Sequence, residues 1–130
     1  MMDIAPVVLD ASALLALLHR ETGADVVKQV LSTAAISSVN WSEVAQKSIE
    51  RDLSVAPLRA DLVEVGLDIV PFTVEDAEAA AELYRATRSA GLSLGDRACL
   101  ALARRLGSPA LTADRRWADI RLGIEVRLIR

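Results

Sequence analysis

Four acidic residues stand at the ends of apolar runs or at the starts of helical patterns, where carboxylates can gather around a cation. They are Asp10, Glu43, Asp96 and Asp114. Carboxylates that converge on one crevice repel one another and raise one another's pKa unless a cation lies among them. Mg²⁺ or Mn²⁺ suits such a site, because these hard ions prefer oxygen ligands and keep several waters. A cation held in this way would favour hydrolysis of phosphate esters, because it neutralises the phosphate and activates a water.

Each of these acids also has a purely structural explanation at the start of a helix. Asp10 follows an apolar run, and aspartate is a preferred helix N-cap. Asn40 and Glu43 are three residues apart, which is the spacing of a capping box. Ser93 and Asp96 have the same spacing. Taken one at a time, the acids therefore favour a structural role.

Polar side chains near the same positions change that balance. Thr73 and Asp76 also have the capping-box spacing, but nothing else about this pair indicates chemistry. In contrast, Ser12, Asn40 and Thr112 stand near the four acids and could orient a carboxylate or a metal-bound water. Taken together, the acids and their polar neighbours predict a functional site.

The composition of the chain removes several other chemistries. It has 130 residues, with 15 Lys and Arg against 18 Asp and Glu, and it has a single histidine and a single cysteine. Cys99 alone allows no intrachain disulfide, and Cys and His are too few for a structural zinc site. Any Ser-His-Asp or Cys-His catalytic group would depend on His19. Carboxylate, hydroxyl and arginine side chains remain plentiful.

The N-terminal residues do not have the pattern of an export signal or a membrane segment. The apolar stretch from Ile4 to Leu18 is too short to span a bilayer, and Pro6 and Asp10 interrupt it. No basic segment precedes it, although a signal peptide would normally begin with positive charge. The sequence therefore predicts a soluble, cytoplasmic protein that does not bind a membrane.

Short apolar runs alternate with longer amphipathic stretches along the whole chain. Five runs of continuous apolar character predict strands buried on both faces. These runs are Ala5 to Leu9, Ala35 to Ser38, Leu67 to Phe72, Pro109 to Thr112 and Glu125 to Ile129. Apolar residues at helical spacing predict helices over Ser12 to Arg20, Ala24 to Leu31, Ser42 to Arg51, Ala56 to Val65, Glu75 to Ser89 and Leu94 to Leu106. This alternation predicts one α/β domain over residues 1–130, in which helices cover both faces of a central, mainly parallel sheet of about five strands.

The predicted sheet explains how acids that are distant in the sequence could meet. In open parallel sheets, ligands bind in the crevice beyond the carboxyl ends of the strands. Asp10, Glu43 and Asp114 follow predicted strands, and Asp96 opens a predicted helix. We therefore expect the four carboxylates to lie at one edge of the sheet.

Four segments of the chain, taken in order, resemble those of a known family. They are VVLDASALLALL at residues 7–18, SSVNWSEV at 37–44, LSLGDRACLALA at 92–103 and PALTADRRW at 109–117. Each segment is unspecific alone, but their order, their spacing and the total length resemble the PIN-domain family. Within that family the chain is most similar to the VapC toxins of bacterial and archaeal toxin-antitoxin pairs. The resemblance covers essentially the whole chain.

The resemblance implies a PIN-like three-layer α/β/α domain and a Mg²⁺- or Mn²⁺-dependent endoribonuclease that acts as the toxin of a type II toxin-antitoxin pair. It maps the catalytic, metal-binding acids onto Asp10, Glu43, Asp96 and Asp114. It maps supporting positions onto Ser12, Asn40 and Thr112. It also implies a homodimer inhibited by a small VapB-like antitoxin, whose tail reaches into the acidic site. Asp119 is left open as a further metal ligand or a surface residue.

Charge is unevenly distributed along the chain, which matters if the substrate is RNA. Residues 1–84 carry five basic and 14 acidic residues, a balance of −9, whereas residues 85–130 carry ten basic and four acidic residues, a balance of +6. All ten basic residues of the second part are arginines, whose forks pair well with phosphate oxygens. Arg97, Arg115 and Arg116 flank acids of the predicted site, so they are our candidates for RNA binding.

Other functions remain open at this stage. The same fold could serve as an RNA-binding or interaction module without catalysis, and an activated water could also cut DNA because it does not need the ribose 2′-OH. A phospho-receiver signalling domain has a similar length and fold class, with paired acids after the first strand, an acceptor Asp after the third and a Lys after the fifth. This chain has one Asp at the first place, Pro-Phe-Thr at residues 71–73 and no lysine after Lys47. The receiver is therefore the weakest alternative.

Overall fold

The computed structural model describes residues 6–130 and contains a central sheet of five parallel strands. Along the chain the strands are β1 Val7–Leu9, β2 Ala34–Ser37, β3 Asp68–Val70, β4 Ala110–Thr112 and β5 Val126–Leu128. Their order across the sheet is β3-β2-β1-β4-β5, and every neighbouring pair is parallel. The predicted α/β class and sheet are confirmed. Ala5, the predicted start of the first strand, lies outside the described residues.

Seven α-helices connect the strands in this part of the chain. They are α1 Ala11–Leu18, α2 Ala24–Val30, α3 Ser38–Glu50, α4 Val55–Val65, α5 Val74–Glu82, α6 Tyr84–Thr87 and α7 Leu94–Leu106. Short 3₁₀ helices lie at Leu31–Thr33, Arg88–Ala90 and Arg115–Asp119. Within residues 6–130, no helix has both the length and the apolar character that crossing a bilayer requires.

Alternating side chains of the strands face two separate apolar cores. On β1, Val7 and Leu9 pack with residues of α1 to α4, whereas Val8 packs with residues of α5 and α7 on the opposite face. Trp117, which is fully buried, belongs to the second core. The helices therefore form the outer layers of the three-layer α/β/α arrangement. Burial on both faces is confirmed for β1, β2 and β4. It is wrong for the edge strands β3 and β5, which are partly exposed and carry Asp68 and Arg127.

The helix predicted over Ser42 to Arg51 begins earlier, at the very end of β2. Ser37 is its N-cap: the Ser37 hydroxyl accepts a hydrogen bond from the Val39 amide at 3.2 Å. Asn40 and Glu43 therefore lie inside α3, and the interpretation of this pair as a capping box is wrong. The serine that ends the strand already satisfies the helix terminus, which leaves the Asn40 side chain free for contacts elsewhere.

The helix predicted over Glu75 to Ser89 is divided near its middle. Regular structure stops at Glu82, and the short α6 and a 3₁₀ turn follow. The buried Thr87 hydroxyl donates hydrogen bonds to the carbonyl oxygens of Leu83 at 2.8 Å and Tyr84 at 3.4 Å. Such bonds from Ser or Thr back to the preceding turn compete with the regular helical pattern. The helix prediction rested on the spacing of apolar residues, which contains no information about these hydrogen bonds.

The strand order places a topological switch point at β1. From β1 the chain continues to β2 and β3 on one side, and it later crosses to β4 on the other side. A crevice opens beyond the carboxyl ends of the strands at such a point. Asp10 directly follows β1, and Asp114 follows shortly after β4. The strand order also differs from the 2-1-3-4-5 order of phospho-receiver domains, so the protein is not a receiver domain.

Candidate active site

The carboxyl edge of the sheet holds a pocket of about 230 Å³ that all four predicted acids line. Its lining includes Asp10, Glu43, Asp96 and Asp114, together with Ser12, Asn40 and Lys47. These side chains come from the end of β1, from α1 and α3, from the start of α7 and from the segment after β4. The fold therefore brings together acids that are far apart in the sequence.

Asp10 is the most deeply buried acid of the pocket, with 4% of its surface exposed. It caps α1, because its Oδ1 accepts a hydrogen bond from the Ala13 amide at 2.8 Å. The Ser12 hydroxyl donates to both carboxylate oxygens at 2.8 and 2.9 Å, and the Thr112 hydroxyl donates to Oδ2. Burial raises the pKa of Asp10 to about 6, and the nearby charge of Asp96 adds to the rise while the hydrogen bonds oppose it.

The two supporting hydroxyls also tie β1 to the segment after β4. The Ser12 hydroxyl accepts from the Ala113 amide at 2.9 Å, and the Thr112 hydroxyl accepts from the Asp114 amide at 3.0 Å. Ser12 and Thr112 therefore hold the Asp10 carboxylate and position the backbone that carries Asp114. A supporting role for both residues stays a prediction.

Glu43 is held against the start of α7 by Asn40, which is 1% exposed. The Asn40 amide donates to Glu43 Oε1 at 3.0 Å and to the Gly95 carbonyl at 2.9 Å. A Cβ added at Gly95 would lie 2.6 Å from Glu43 Oε1, so only glycine leaves room for the carboxylate at this point. Partial burial raises the pKa of Glu43, and the charge of Asp96 adds to this effect while Asn40 opposes it.

Asp96 combines a helix cap with a place in the pocket. Its carboxylate accepts from the Ser93 amide at 2.9 Å, and the Asp96 amide donates to the Ser93 hydroxyl at 3.2 Å, so the predicted capping box is present. Thr73 and Asp76 form the same box, but Asp76 pairs with Arg105 at 2.9 Å instead of lining the pocket. Capping and a functional position are therefore compatible, and the position of the carboxylate distinguishes the two pairs.

Asp114 is bound by an arginine that follows it in the sequence. Arg116 Nη2 lies 2.6 Å from Asp114 Oδ2, and Arg116 Nε donates to Oδ1 and Oδ2 at 3.0 Å. The Arg116 guanidinium holds the pKa of Asp114 below its usual value. The same Nη2 atom lies 3.9 Å from Asp96 Oδ2, so Arg116 reaches two acids of the pocket.

The other sequence-predicted cations and Asp119 lie in different surroundings. Arg97 Nη1 donates to the Ala80 carbonyl at 2.9 Å, and its guanidinium lies 5.6 Å from the centroid of the Tyr84 ring, so this side chain packs α7 against α5. Arg115 is exposed on the 3₁₀ helix that follows Asp114. Asp119 lines a separate groove of about 590 Å³, which Arg116 also lines, instead of the carboxylate pocket.

Two residues that matter at the site were not predicted from the sequence, Lys47 in the lining of the pocket and Gly95 beside Glu43. Lys47 lines the pocket, and its position four residues after Glu43 places both on one face of α3, which is a signal the sequence contains. Gly95 matters through the side chain that it lacks, which no local pattern reveals because Glu43 lies on another helix.

The donor set of the pocket fits a hard divalent cation. Four carboxylates line it, and carboxylate oxygen is the ligand that Mg²⁺ and Mn²⁺ prefer. The buried Oδ1 of Asn40 has no hydrogen-bond partner among the described residues, so one further oxygen acceptor is available. Within residues 6–130, no group of three or more His, Cys, Asp or Glu side chains is already arranged to hold a metal ion.

Several solved structures are similar in fold to this chain. A toxin-antitoxin complex from Klebsiella pneumoniae has 21% identity and a TM-score of 0.76, over 95% of this chain and 98% of that chain. VapC20 from Mycobacterium tuberculosis, described as a toxin that cleaves the sarcin-ricin loop, has 18% identity and a TM-score of 0.70, over 92% of this chain and 98% of that chain. DNA-bound VapBC from Salmonella typhimurium has 18% identity and a TM-score of 0.68, over 98% of this chain and 100% of that chain.

The sequence comparisons give a second, independent result. A search of curated protein sequences found no significant match. The family model described as the PIN domain matches residues 7–122. This match spans both outer layers and all strands except β5, and the chain therefore belongs to the PIN domain family.

Proposed function

We propose that the protein is a metal-dependent endoribonuclease that acts as a VapC-type toxin. The observation that carries this proposal is the convergence of four carboxylates, one of them 4% exposed, on a single pocket at the switch point of a parallel sheet. The similar solved structures support the assignment, because they include toxin-antitoxin complexes and a toxin described as cleaving the sarcin-ricin loop.

Asp10, Glu43, Asp96 and Asp114 would hold Mg²⁺ or Mn²⁺. When bound, such a cation supplies Lewis-acid chemistry: it neutralises the phosphodiester and makes water a better nucleophile. The protein groups around the acids keep them in place for this task. Ser12 and Thr112 hold Asp10, whereas Asn40 holds Glu43 and the Ser93 amide holds Asp96.

Cations beside the pocket are suited to bind the RNA backbone. Lys47 lines the pocket on α3, while Arg115 and Arg116 lie on the 3₁₀ helix that follows Asp114. Such contacts position the phosphates without reading the base sequence. Arg97 is not part of this proposed surface, because its guanidinium is used between α5 and α7.

The proposed partners follow from the same assignment. We propose a VapB-like antitoxin as the inhibitor and a homodimer as the active assembly. Support for the antitoxin comes from the similar solved structures, several of which contain a toxin together with its antitoxin. Relief of growth arrest by co-expression of an adjacent small open reading frame would test the toxin assignment in cells.

The direct test is cleavage of a labelled RNA by the purified protein. We expect cleavage with Mg²⁺ or Mn²⁺, none with EDTA, and a loss of about 100-fold or more in Asp96→Asn. Asp61→Asn, an exposed substitution on α4 that removes the same charge, serves as the control and should cleave normally. Undiminished cleavage in EDTA would contradict the metal dependence. RNA binding without cleavage would favour a non-catalytic binding module instead.

A further inference from the structure

Arg116 occupies the oxygens that Asp114 would offer to a metal ion. Its Nε and Nη2 atoms contact both carboxylate oxygens at 2.6 to 3.0 Å, and its backbone amide donates to Asp114 Oδ1 at 2.9 Å. A divalent cation would use lone pairs of the same two oxygens. Two cations on one carboxylate also repel each other, so the guanidinium and the metal ion compete for Asp114.

The Arg116 side chain is accessible to another anion from the solvent. It is 55% exposed, and it lines the separate groove of about 590 Å³ that also contains Arg121. Its remaining contact outside the acids is a hydrogen bond from Nη1 to the Gly91 carbonyl at 3.1 Å. The two acids differ more than the two arginines: Asp114 is 23% exposed, whereas Asp76, the partner of Arg105, is 6% exposed, so the Arg105 ion pair is part of the packing between helices. The Arg116 pair is therefore suited to exchange its partner.

We propose that Arg116 is shared between Asp114 and the RNA backbone, so that metal binding and RNA binding favour each other. When a divalent cation takes Asp114, the released guanidinium becomes available to a phosphate in the adjoining groove. When a phosphate takes the guanidinium, the Asp114 carboxylate becomes available to the cation. Each ligand removes the competitor of the other, which gives positive coupling between the two binding events. This inference rests on the proposed function and makes Arg116 a positioning residue.

Mn²⁺ binding, measured by calorimetry without RNA, tests the first half of the exchange. We expect Arg116→Gln to bind Mn²⁺ about fivefold more tightly than the wild type, because one partly exposed ion pair no longer has to be broken. Arg116→Lys keeps the charge but loses the bidentate fork, so its affinity should approach that of Arg116→Gln. Arg115→Gln removes the same charge from an exposed neighbour that forms no salt bridge within residues 6–130, so its affinity should change little.

RNA binding in EDTA, measured by fluorescence anisotropy with a labelled oligoribonucleotide, tests the second half. Asp114→Asn releases Arg116 and should tighten RNA binding about fivefold. Glu43→Gln removes the same charge from the pocket without contacting Arg116, so its gain should be clearly smaller. The double variant Asp114→Asn with Arg116→Gln should lose the gain, because the released guanidinium is absent.

The outcomes separate this inference from the proposed function. Mn²⁺ affinity that is equal in the wild type and Arg116→Gln would overturn the exchange and leave the metal site intact. Arg116→Lys with wild-type affinity would also overturn it, because the effect would then be general repulsion instead of competition for the oxygens. If neither the wild type nor the variant binds Mn²⁺, the proposed metal site fails together with the exchange. Thermal unfolding of each variant confirms that the fold is retained.

Discussion

Asp10 is a helix cap whose carboxylate is almost completely buried in the candidate site. A buried carboxylate loses the water that stabilises its charge, and this loss is tolerated only where hydrogen-bond donors replace the water. Ser12, Thr112 and the Ala13 amide supply those donors, yet the pKa of Asp10 is still raised to about 6. A bound cation would stabilise the ionised carboxylate further, because the neutral donors alone leave its pKa raised.

This raised pKa predicts how stability depends on pH without divalent cations. The folded-state pKa of Asp10 is about 6 and its ordinary value is 3.8, so the fold favours the protonated form. Protonated Asp10 therefore stabilises the folded state. This stabilisation is complete below pH 3.8 and is lost as the pH rises through 6. The loss amounts to about 3 kcal/mol for a shift of this size. Asp10→Asn should not lose this stability, because asparagine does not titrate. The free energy of unfolding of the variant minus that of the wild type should therefore increase from pH 4 to pH 7.

Urea denaturation in EDTA at several pH values measures this difference. Glu43 also has a raised pKa, but it is present in both proteins, so the comparison isolates Asp10. A difference between wild type and Asp10→Asn that stays constant from pH 4 to 7 would show that the carboxylate is already ionised below pH 4 in the folded protein. Added Mn²⁺ should stabilise the wild type but not the variant at pH 7, because the cation binds the folded state.

Among the elements, α3 and α7 decide the shape of the pocket. α3 starts immediately after β2, which places Asn40 and Glu43 in its first turns, and α7 carries Gly95 and Asp96 in its first turn. The two helices meet where the Asn40 amide donates to the Gly95 carbonyl at 2.9 Å. Because Gly95 has no side chain, the Glu43 carboxylate can lie directly against the start of α7. The contact between the helices therefore sets the distance between two acids.

Substitution of Gly95 by alanine tests this contact. The new Cβ would lie 2.6 Å from Glu43 Oε1, and the flexible glutamate side chain would move away. We expect stability to stay unchanged or to rise by up to about 1 kcal/mol, because alanine favours a helix more than glycine does. RNA cleavage and Mn²⁺ affinity should fall about tenfold, since the displaced carboxylate can no longer support the site. Thermal unfolding and calorimetry measure the two effects separately.

A double-mutant cycle with Glu43→Gln supplies the control for this prediction. If Gly95 acts through Glu43, the losses of the two single variants should not add in the double variant. Additive losses would mean that Gly95→Ala disturbs the pocket by another route, such as a shift of Asp96.

At the scale of the whole molecule, the two parts of the chain carry opposite net charges. The balance of −9 over residues 1–84 includes Asp10 and Glu43, whereas the balance of +6 over residues 85–130 comes from arginines. Some of these arginines are bound within the fold, as Arg130 is to Glu21 at 3.4 Å. Others, including Arg115 and Arg121, are exposed, and Arg121 lines the separate groove together with Arg116. An acidic pocket bordered by cations can accept an anionic RNA chain while still binding a metal ion.

This distribution predicts a specific salt dependence of RNA binding. The double variant Arg115→Gln with Arg121→Gln should bind RNA more weakly for every sequence tested. The slope of log K against log salt should become shallower by about 0.7 for each phosphate contact that is lost. Arg130→Gln removes an arginine that is bound to Glu21 and the Thr22 carbonyl, so its slope should match that of the wild type. Anisotropy titrations at several salt concentrations in EDTA measure these slopes, and an unchanged slope in the double variant would contradict the proposed surface.

The sequence by itself determined the fold class and the set of acids. Continuous apolar runs of this kind occur where both faces of a strand are buried, so the parallel sheet between two helical layers could be predicted from local pattern. α7 has the predicted bounds because its start signal Ser93 and its stop signal Gly107 are adjacent in the sequence to the helix they limit. The acids could be identified because each stands at a predicted strand end or helix start.

Only the tertiary structure decided which side chains meet at the site. Asn40 finds its partner at Gly95, 55 positions away, and Thr112 donates to Asp10 across 102 positions. The same distinction applies to the arginines, since Arg97 turns to α5 whereas Arg116 turns to Asp114, although both stand beside an acid in the sequence. Local pattern reports which face of an element is buried, but the direction of a polar side chain depends on partners that the fold brings from elsewhere in the chain.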